Sequence, residues 1–508
     1  AAAGSPGDAL WPRLAVASAA LAGAAAAGGA AGVWLATWGR EGVCVADRRR
    51  LKRLIAAGEL LHPLGAGASL ADLAAALALC RGLPSPGPAA RGAVARALAE
   101  ELGGSRRRHI IFILCDGMGC SILEQHLPPG SFLRRHNRAQ RLVSIFPSTT
   151  PAALTSLASA TWPGQHGAPG WDLRDQQKCE TPGSFGRRTH QGPVHLRILH
   201  PFFVDSRSGL PTKELGYTDT DIFVAPPVAS LGASERRTLY VSAYEEGDFC
   251  RWSQSRGDMT EHAGGGGGAG SASFPETKTE DLGAPKGAGD AVDFMKRGLD
   301  QVLSRVLEAE RAGEKTYSHL YTAHPDKHMH SLGVEHPEVG NVVRGFDAAL
   351  ERFCRGLEGL DVALVVTADH GHVTVAPADM AVLPPDLQEC LEYANIGVHG
   401  KGRHAYLHCK PGRQANFEAR WAAHPDLREA FLLLSVEDAA EEGLFGPEPP
   451  HSQVRPRLGD FVALSLGAKT LVTAEEAATY RDRIQGAHGS LLPEEMRIPF
   501  VLCTPGGA

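Results

Sequence analysis

Continuous apolar runs recur along the chain and predict the strands of a central sheet. The clearest is HIIFILC at residues 109–115, in which every position after the first is apolar. A strand without a polar face is typical of a parallel sheet that is covered on both sides. Four further runs predict strands at residues 238–242 (TLYVS), 317–323 (YSHLYTA), 361–367 (DVALVVT) and 498–503 (IPFVLC).

Helical patterns fall between several of these strands, notably at residues 291–312 and 340–357. A further apolar helical run, residues 69–80, opens with Ser69, a residue type that caps helix N-termini. Strands that alternate with amphipathic helices indicate an α/β fold. We therefore predict a mostly parallel central sheet flanked by helices.

Changes in composition along the chain suggest its domain organisation. Residues 1–58 are predicted to form an Ala-rich leader, and residues 59–508 one large domain. Within that domain, the glycine-rich stretch near residues 262–290 predicts a flexible insertion. Residues 376–484 carry fewer signals of buried strands, and we expect them to form a smaller, cap-like inserted region before the last core strand.

The leader contains an uncharged stretch at residues 14–38 that is long enough to span a bilayer. It consists mostly of Ala and Gly, which gain little from a hydrocarbon environment. Three interpretations stay open: a membrane anchor, part of a secretory or organelle-targeting segment, or a low-complexity tail. The sequence therefore leaves the localisation undecided.

Composition narrows the classes of function. The formal net charge of −6 over 508 residues argues against a nucleic-acid-binding role. The ten cysteines include no C-x-x-C pair, which gives no support to a zinc ribbon or a thioredoxin-like motif. The 22 histidines are numerous, so a metal site is worth seeking among them.

Acidic and histidine side chains follow three of the predicted strands. In open α/β sheets, functional residues gather at the carboxyl ends of the strands, so these side chains are expected at one edge of the sheet. Carboxylate and imidazole are ligands for zinc and similar divalent ions. The candidates are Asp116 after the first strand, Asp326 and His330 after the third, and Asp369 and His370 after the fourth.

A threonine supplies the candidate nucleophile. Thr149 and Thr150 precede Pro151, a residue tolerated in the first turn of a helix. A hydroxyl there lies where backbone N–H groups can also hold a phosphate, and coordination by a metal would activate it. Two cations beside it could clamp the oxygens of an in-line phosphoryl displacement. The alternative is an ordinary threonine N-cap.

Five motifs, in this order, resemble the type I phosphodiesterase and nucleotide pyrophosphatase branch of the alkaline phosphatase superfamily. The resemblance covers about residues 60–508, and it implies an alkaline-phosphatase-like catalytic domain there. The motifs are CDGMG (115–119), FPSTTPAALTSLASATWPGQHG (146–167), HPDKHMHSLG (324–333), VTADHG (366–371) and GAHGSLLPEEMRIP (486–499).

The resemblance implies two divalent metal ions, usually zinc, and a catalytic Thr150, with Thr149 as the neighbouring alternative. The nucleophile would attack phosphorus and form a phospho-threonine intermediate. One metal site would comprise Asp116, Thr150, Asp369 and His370, and the other Asp326, His330 and His488. Only the resemblance singles out His488.

The chain also departs from the family pattern. Nucleotide pyrophosphatases usually place Asn three residues beyond the nucleophile, where this chain has Ala153, and often Phe where it has Pro151. Both differences put nucleotide specificity in doubt. Three further histidines near the ligands either hydrogen-bond them or are ordinary polar residues: His324, His328 and His372.

We therefore expect a metal-dependent hydrolase of phosphodiester or pyrophosphate bonds, with a small-molecule phosphate ester or nucleotide as substrate. Two alternatives remain: a phosphomonoesterase using the same site, and a catalytically silent binding protein that keeps the fold. A complete set of ligands argues against the silent protein, because a degenerate homologue would have lost some of them.

Overall fold

The computed structural model describes residues 42–65, 67–84, 91–138, 141–175, 194–198, 203–205, 211–242, 248–254, 277–281, 287–392, 403–481 and 483–505. The chain divides into two units, Ala1–Gly42 and Val43–Ala508, and only Gly42 of the first is described. The predicted stretch 14–38 and most of the predicted insertion near 262–290 lie outside the described residues. No helix among the described residues is both long and apolar enough to cross a membrane.

Strands and helices alternate along the described part of the chain. Its strands are β1 (Ala68–Ser69), β2 (His109–Cys115), β3 (Leu142–Val143), β4 (Asp172–Asp175), β5 (Val194–Ile198), β6 (Phe203–Asp205), β7 (Arg237–Ser242), β8 (Thr277–Asp281), β9 (Thr316–Thr322), β10 (Val362–Thr367), β11 (Val373–Thr374), β12 (Met380–Val382), β13 (His404–Leu407), β14 (Phe431–Ser435), β15 (Phe461–Ser465), β16 (Thr470–Val472), β17 (Gly486–Ala487), β18 (Arg497–Ile498) and β19 (Val501–Cys503). Its α-helices are α1 (Val43–Ala57), α2 (Leu70–Cys80), α3 (Gly92–Glu101), α4 (Cys120–His126), α5 (Phe132–His136), α6 (Thr150–Ser159), α7 (Pro163–His166), α8 (Asp219–Ile222), α9 (Asp248–Ser253), α10 (Ala288–Ala312), α11 (Asp326–Leu332), α12 (Pro337–Gly356), α13 (Pro385–Gln388), α14 (Gln414–Ala422), α15 (Pro425–Ala430), α16 (Val436–Glu441), α17 (Ala474–Tyr480) and α18 (Pro493–Met496).

A six-stranded sheet in the order β19-β10-β2-β9-β7-β8 forms the centre of the fold. Its strands are parallel except for β19, which pairs antiparallel with β10 at the edge. All seven residues of β2 are buried, as expected for a strand covered on both faces. The mostly parallel α/β fold is therefore confirmed. The run predicted as a strand at 498–503 is divided, because Pro499 and Phe500 separate β18 from β19.

Helices cover both faces of this sheet. Side chains alternate between the two faces along β9, as they do in any strand. Tyr317 and Tyr321 share a cavity with Leu77 of α2 and Leu154 of α6. On the opposite face, Leu320 packs so closely on α10 that a Cβ at Gly298 would lie 2.6 Å from Leu320 Cδ1. The prediction of helices on both sides of the sheet is therefore confirmed.

Local capping explains where α2 begins. Ser69 is its N-cap residue, and the Ser69 hydroxyl accepts a hydrogen bond from the backbone N–H of Asp72 at 3.1 Å. The Asp72 carboxylate accepts in return from the backbone N–H of Ser69 at 2.8 Å. This reciprocal pair is a capping box, so the helix start predicted from Ser69 is confirmed.

A second, antiparallel sheet in the order β13-β15-β14 is formed within the region predicted as cap-like. Helix α1 packs against β14, and Val43 and Leu51 are buried there. The compact unit therefore begins at Val43, ahead of the boundary predicted at residue 58, because the apolar face of α1 belongs to this packing. The division into a catalytic domain and a cap at residues 376–484 stays a prediction.

Candidate active site

The carboxyl ends of β2, β9 and β10 meet at one edge of the central sheet. These strands are parallel neighbours, so the segments that come after them converge. Asp116 directly follows β2, and its carbonyl accepts a hydrogen bond from the backbone N–H of Asp326 at 3.1 Å. The carboxylate of Asp369 accepts from the backbone N–H of Gly117 at 3.0 Å. The structure thus brings together the three aspartates that the sequence placed at this edge.

One cluster of oxygen atoms surrounds the Nε2 atom of His370. The Thr150 hydroxyl oxygen lies 3.2 Å from His370 Nε2. Asp369 Oδ2 lies 3.3 Å from the same nitrogen, and Asp116 Oδ1 lies 3.5 Å from it. All four side chains are buried. The structure therefore brings together the four residues that the sequence predicts for one metal site.

A second cluster surrounds the carboxylate of Asp326. His330 Nε2 lies 3.4 Å from Asp326 Oδ2, and His488 Nε2 lies 3.6 Å from Asp326 Oδ1. The Nε2 atoms of His330 and His488 are 3.2 Å apart. His372 also belongs to this cluster, with its Nε2 atom 3.3 Å from Asp326 Oδ1. One potential ligand atom from each of Asp116, Asp326 and His370 lies within 4.8 Å of the other two, so the two clusters adjoin.

The four imidazoles are held by backbone carbonyl groups in the same manner. The Nδ1–H of His370 donates to the carbonyl of Gly371 at 2.9 Å. The corresponding distances from His330, His372 and His488 to backbone carbonyls are 2.9, 3.4 and 2.8 Å. A ring that donates from Nδ1 keeps a lone pair on Nε2 when neutral. Each Nε2 lone pair therefore faces its cluster, as metal-binding histidines require.

Several buried polar atoms in the two clusters have no hydrogen-bond partner among the described residues. They are Asp116 Oδ1, Asp326 Oδ1, Asp369 Oδ2 and His372 Nε2. Buried polar groups without partners are costly and rare, so they call for an explanation such as a bound ion. Ligand atoms around a tetrahedral zinc ion lie roughly 3.3–3.4 Å apart. The separations measured here fit that spacing, so these residues suit a metal.

The electrostatics of the site also call for positive charge. Burial, together with the neighbouring Asp369 and Asp326 carboxylates, raises the pKa of Asp116 well above its usual value. Burial also raises the pKa of Asp369. For Asp326 burial acts in the same direction, but the adjacent His330 and His372 outweigh it and hold the pKa well below its usual value. Three carboxylates in one buried volume are stable as anions only with compensating cations.

Thr150 and Thr149 differ in what their hydroxyl groups face. Thr150 is the first residue of α6, and Thr149 is the N-cap residue without a side-chain capping hydrogen bond. The hydroxyl of Thr149 is buried and has no partner among the described residues, whereas that of Thr150 faces His370. Neither hydroxyl therefore makes the hydrogen bond of an ordinary threonine N-cap.

Other singled-out residues lie outside the two clusters. The imidazoles of His324 and His328 contact each other, with 2.9 Å between their Nδ1 atoms. Sequence reasoning missed Tyr321, whose hydroxyl donates to Asp116 Oδ2 at 2.7 Å. A tyrosine next to the carboxyl end of a core strand was the available signal, although alternation alone does not say which face carries the site.

Comparisons with known proteins show which proteins this chain resembles. Two similar solved structures are phosphonoacetate hydrolase from Sinorhizobium meliloti 1021 with phosphonoformate and an inactive, threonine-to-alanine variant of murine ectonucleotide pyrophosphatase / phosphodiesterase 5 with AMP. The first is 18% identical with a TM-score of 0.51, covering 78% of this chain and 90% of that chain. The second is 16% identical with a TM-score of 0.50, covering 78% and 88%. At these identities they establish the alkaline-phosphatase-like fold.

A search of curated protein sequences finds no match. The family model "Type I phosphodiesterase / nucleotide pyrophosphatase" matches residues 110–491, well over half of the 508 residues. The chain therefore belongs to the type I phosphodiesterase / nucleotide pyrophosphatase family and is a phosphoric ester hydrolase.

Proposed function

We propose that this protein hydrolyses phosphodiester or pyrophosphate bonds with Thr150 as the nucleophile, through a phospho-threonine intermediate. The observation that carries the proposal is the Thr150 hydroxyl, 3.2 Å from His370 Nε2, at the start of α6 and within a cluster of buried carboxylates. A hydroxyl so placed has no capping role to explain it.

The site would hold two divalent cations, and its imidazole and carboxylate donors favour zinc. When bound, the cations would lower the pKa of the Thr150 hydroxyl and neutralise charge on the reacting phosphate. One would be held by Asp116, Thr150, Asp369 and His370, and the other by Asp326, His330 and His488.

The residues of the chain itself would then carry out two displacements. Thr150 loses its hydroxyl proton, and its oxygen bonds to phosphorus while the bond from phosphorus to the leaving oxygen breaks. The leaving group departs as an alcohol or a phosphate and takes up a proton. Water then attacks the phospho-threonine, releases the product and restores the Thr150 hydroxyl. The backbone N–H groups of Thr150 and Ala152 at the start of α6 would face the phosphate oxygens, since Pro151 has none and that of Ala153 donates to the carbonyl of Thr149.

The surroundings of Thr150 bear on the choice of substrate. Ala153 is fully buried, and its methyl group cannot donate a hydrogen bond to a phosphate oxygen as an Asn amide would. One murine relative of similar fold was solved with AMP. We propose that this chain lacks the family's usual preference for nucleotides and accepts phosphate diesters more broadly.

A substrate panel tests the proposal with zinc supplied. The substrates are bis(4-nitrophenyl) phosphate, 4-nitrophenyl phosphate and a nucleoside triphosphate. Thr150→Ala is expected to lower kcat on the order of 10³-fold or more, because the nucleophile is removed. Thr149→Ala is the matched control and should stay within about tenfold of wild type.

Acid quenching during turnover, followed by mass spectrometry of peptides, should detect phosphate on Thr150. Undiminished turnover by Thr150→Ala would contradict the proposal. Hydrolysis of the monoester alone would favour the phosphomonoesterase instead.

A further inference from the structure

His372 lies in the Asp326 cluster because of the register between two short strands. β11 and β17 pair antiparallel, with Val373 opposite Ala487. The residues that flank this pair, His372 and His488, are therefore brought side by side, and their ring centroids are 5.2 Å apart. Gly486 leaves room for the ring, because a Cβ there would lie 2.8 Å from His372 Cε1.

The ring nitrogen of His372 that faces the cluster contacts the same carboxylate as His330 and His488. His372 is buried, and its Nε2 atom lies 3.3 Å from Asp326 Oδ1. Buried His324 also has an Nε2 atom without a partner among the described residues, so what distinguishes His372 is its position beside Asp326.

The potential ligand atoms of this cluster lie close enough together to share one cation. The three distances from histidine nitrogens to one or other oxygen of Asp326, and the distance between His330 and His488, range from 3.2 to 3.6 Å. One ligand atom from each of the four residues lies within 4.8 Å of the other three. Around a zinc ion, four ligand atoms would lie roughly 3.3–3.4 Å apart. A charge-assisted hydrogen bond would be shorter, at about 2.7–2.9 Å.

We propose that His372 is a fourth protein ligand for the cation held by Asp326, His330 and His488. This inference rests on the metal-binding part of the proposed function and adds a ligand that the family resemblance does not supply. Sites with four protein ligands hold zinc as structural sites do, whereas catalytic sites usually keep one position open. Removing His372 should therefore weaken binding of this cation more than that of its neighbour, for which Asp116, Thr150, Asp369 and His370 are the proposed ligands.

Metal binding tests the inference without an assay of activity. Full-length wild type, His372→Ala and the control His328→Ala are stripped of metal, reloaded with zinc and titrated with a fluorescent chelator. Wild type should bind two ions. His372→Ala should weaken binding of one of them by at least about tenfold, and His328→Ala should leave both unchanged.

A cysteine at the same position gives a spectroscopic readout. In Co²⁺-loaded His372→Cys, a thiolate bound to the ion should produce a thiolate-to-cobalt charge-transfer band that Co²⁺-loaded wild type lacks. This variant also keeps the inference testable if His372→Ala does not fold.

The results separate the inference from the function. Wild type that binds two ions and turns over substrate, beside a His372→Ala variant of equal affinity and a His372→Cys variant without the band, would overturn the ligand assignment alone. Wild type that binds no metal would overturn both.

Discussion

Tyr321 orients a candidate metal ligand without itself being one. Its hydroxyl donates to Asp116 Oδ2 at 2.7 Å and leaves Oδ1 facing His370. This hydrogen bond orients the carboxylate. Partners of this kind commonly change metal affinity or activity by about 10–100-fold when removed.

Tyr321→Phe should therefore weaken binding of the ion beside Thr150 and lower kcat by about 10–100-fold, with little loss of stability. Chelator competition and steady-state kinetics measure these effects. Tyr240→Phe, the same change midway along β7, is the matched control. Equal effects of the two changes would mean that Tyr321 does not position Asp116.

Among the elements, the turns after β2 and β10 approach each other unusually closely. A Cβ on Gly119 would lie 2.6 Å from the Cα of Gly371, which is backbone and cannot rotate away. The first turn comes after Asp116 and the second contains Asp369 and His370, so their separation sets the distances between these side chains. Glycine is needed here for close approach of the backbone.

Gly119→Ala should cost about 1–3 kcal/mol of unfolding free energy and weaken metal binding, because one turn must move. Urea denaturation and metal titration measure the two effects. Gly130→Ala is the control, since a Cβ there meets nothing within 4 Å. A Gly119→Ala protein as stable as the control would show that the turns can separate freely.

Helix α1 has a titratable group in its contact with the small sheet. Asp47 is buried, and its carboxylate accepts from the backbone N–H of Leu433 in β14 at 2.9 Å. Burial raises the pKa of Asp47 from 3.8 to about 6. A raised carboxyl pKa favours the protonated form in the folded state, so stability falls as the pH rises from about 4 through 6.

Asp47→Asn should therefore raise the unfolding free energy at pH 7.5 by about 1–3 kcal/mol and have little effect below pH ~4. The amide oxygen of Asn can still accept from Leu433. Urea denaturation at several pH values gives the comparison. A benefit that is equally large at low pH would exclude titration of Asp47 as its cause.

At the scale of the whole molecule, a buried ion pair links the small sheet to the site. Arg403 precedes β13, and its guanidinium donates to both carboxylate oxygens of Glu495 in α18, at 3.0 and 2.7 Å. Glu495 also accepts from the backbone N–H of Ser490 through its carboxylate, at 3.1 Å, and from that of Gly371 through its carbonyl, at 2.7 Å. The pair therefore braces segments that carry His488 and His370.

Arg403→Met should cost about 3–5 kcal/mol, because it leaves the Glu495 carboxylate buried without its partner. Arg135→Met is the control: Arg135 pairs with Glu351 at the surface, where ion pairs contribute about 0–1 kcal/mol. Urea denaturation measures both. Similar costs for the two changes would mean that water reaches Glu495 when Arg403 is absent.

Much of the fold was predictable because it depends on local patterns. The apolar run of β2, the N-cap at Ser69 and the apolar faces of the long helices are each encoded within a single stretch of sequence. The acids and histidines after β2, β9 and β10 were found in the same way, since parallel strands deliver the residues at their carboxyl ends to one edge. His488 needed a family resemblance, because a lone histidine in a glycine-rich loop has no local signature.

Contacts between segments far apart in sequence could not be inferred in this way. The position of His372 depends on the register of β11 against β17. The Arg403–Glu495 pair joins two segments between which all strands of the small sheet lie in the sequence. The compact unit begins at Val43, earlier than predicted, because α1 packs against β14, a strand far along the sequence. The local sequence pattern shows which face of a helix or strand is apolar, but only long-range packing determines which other segment covers that face.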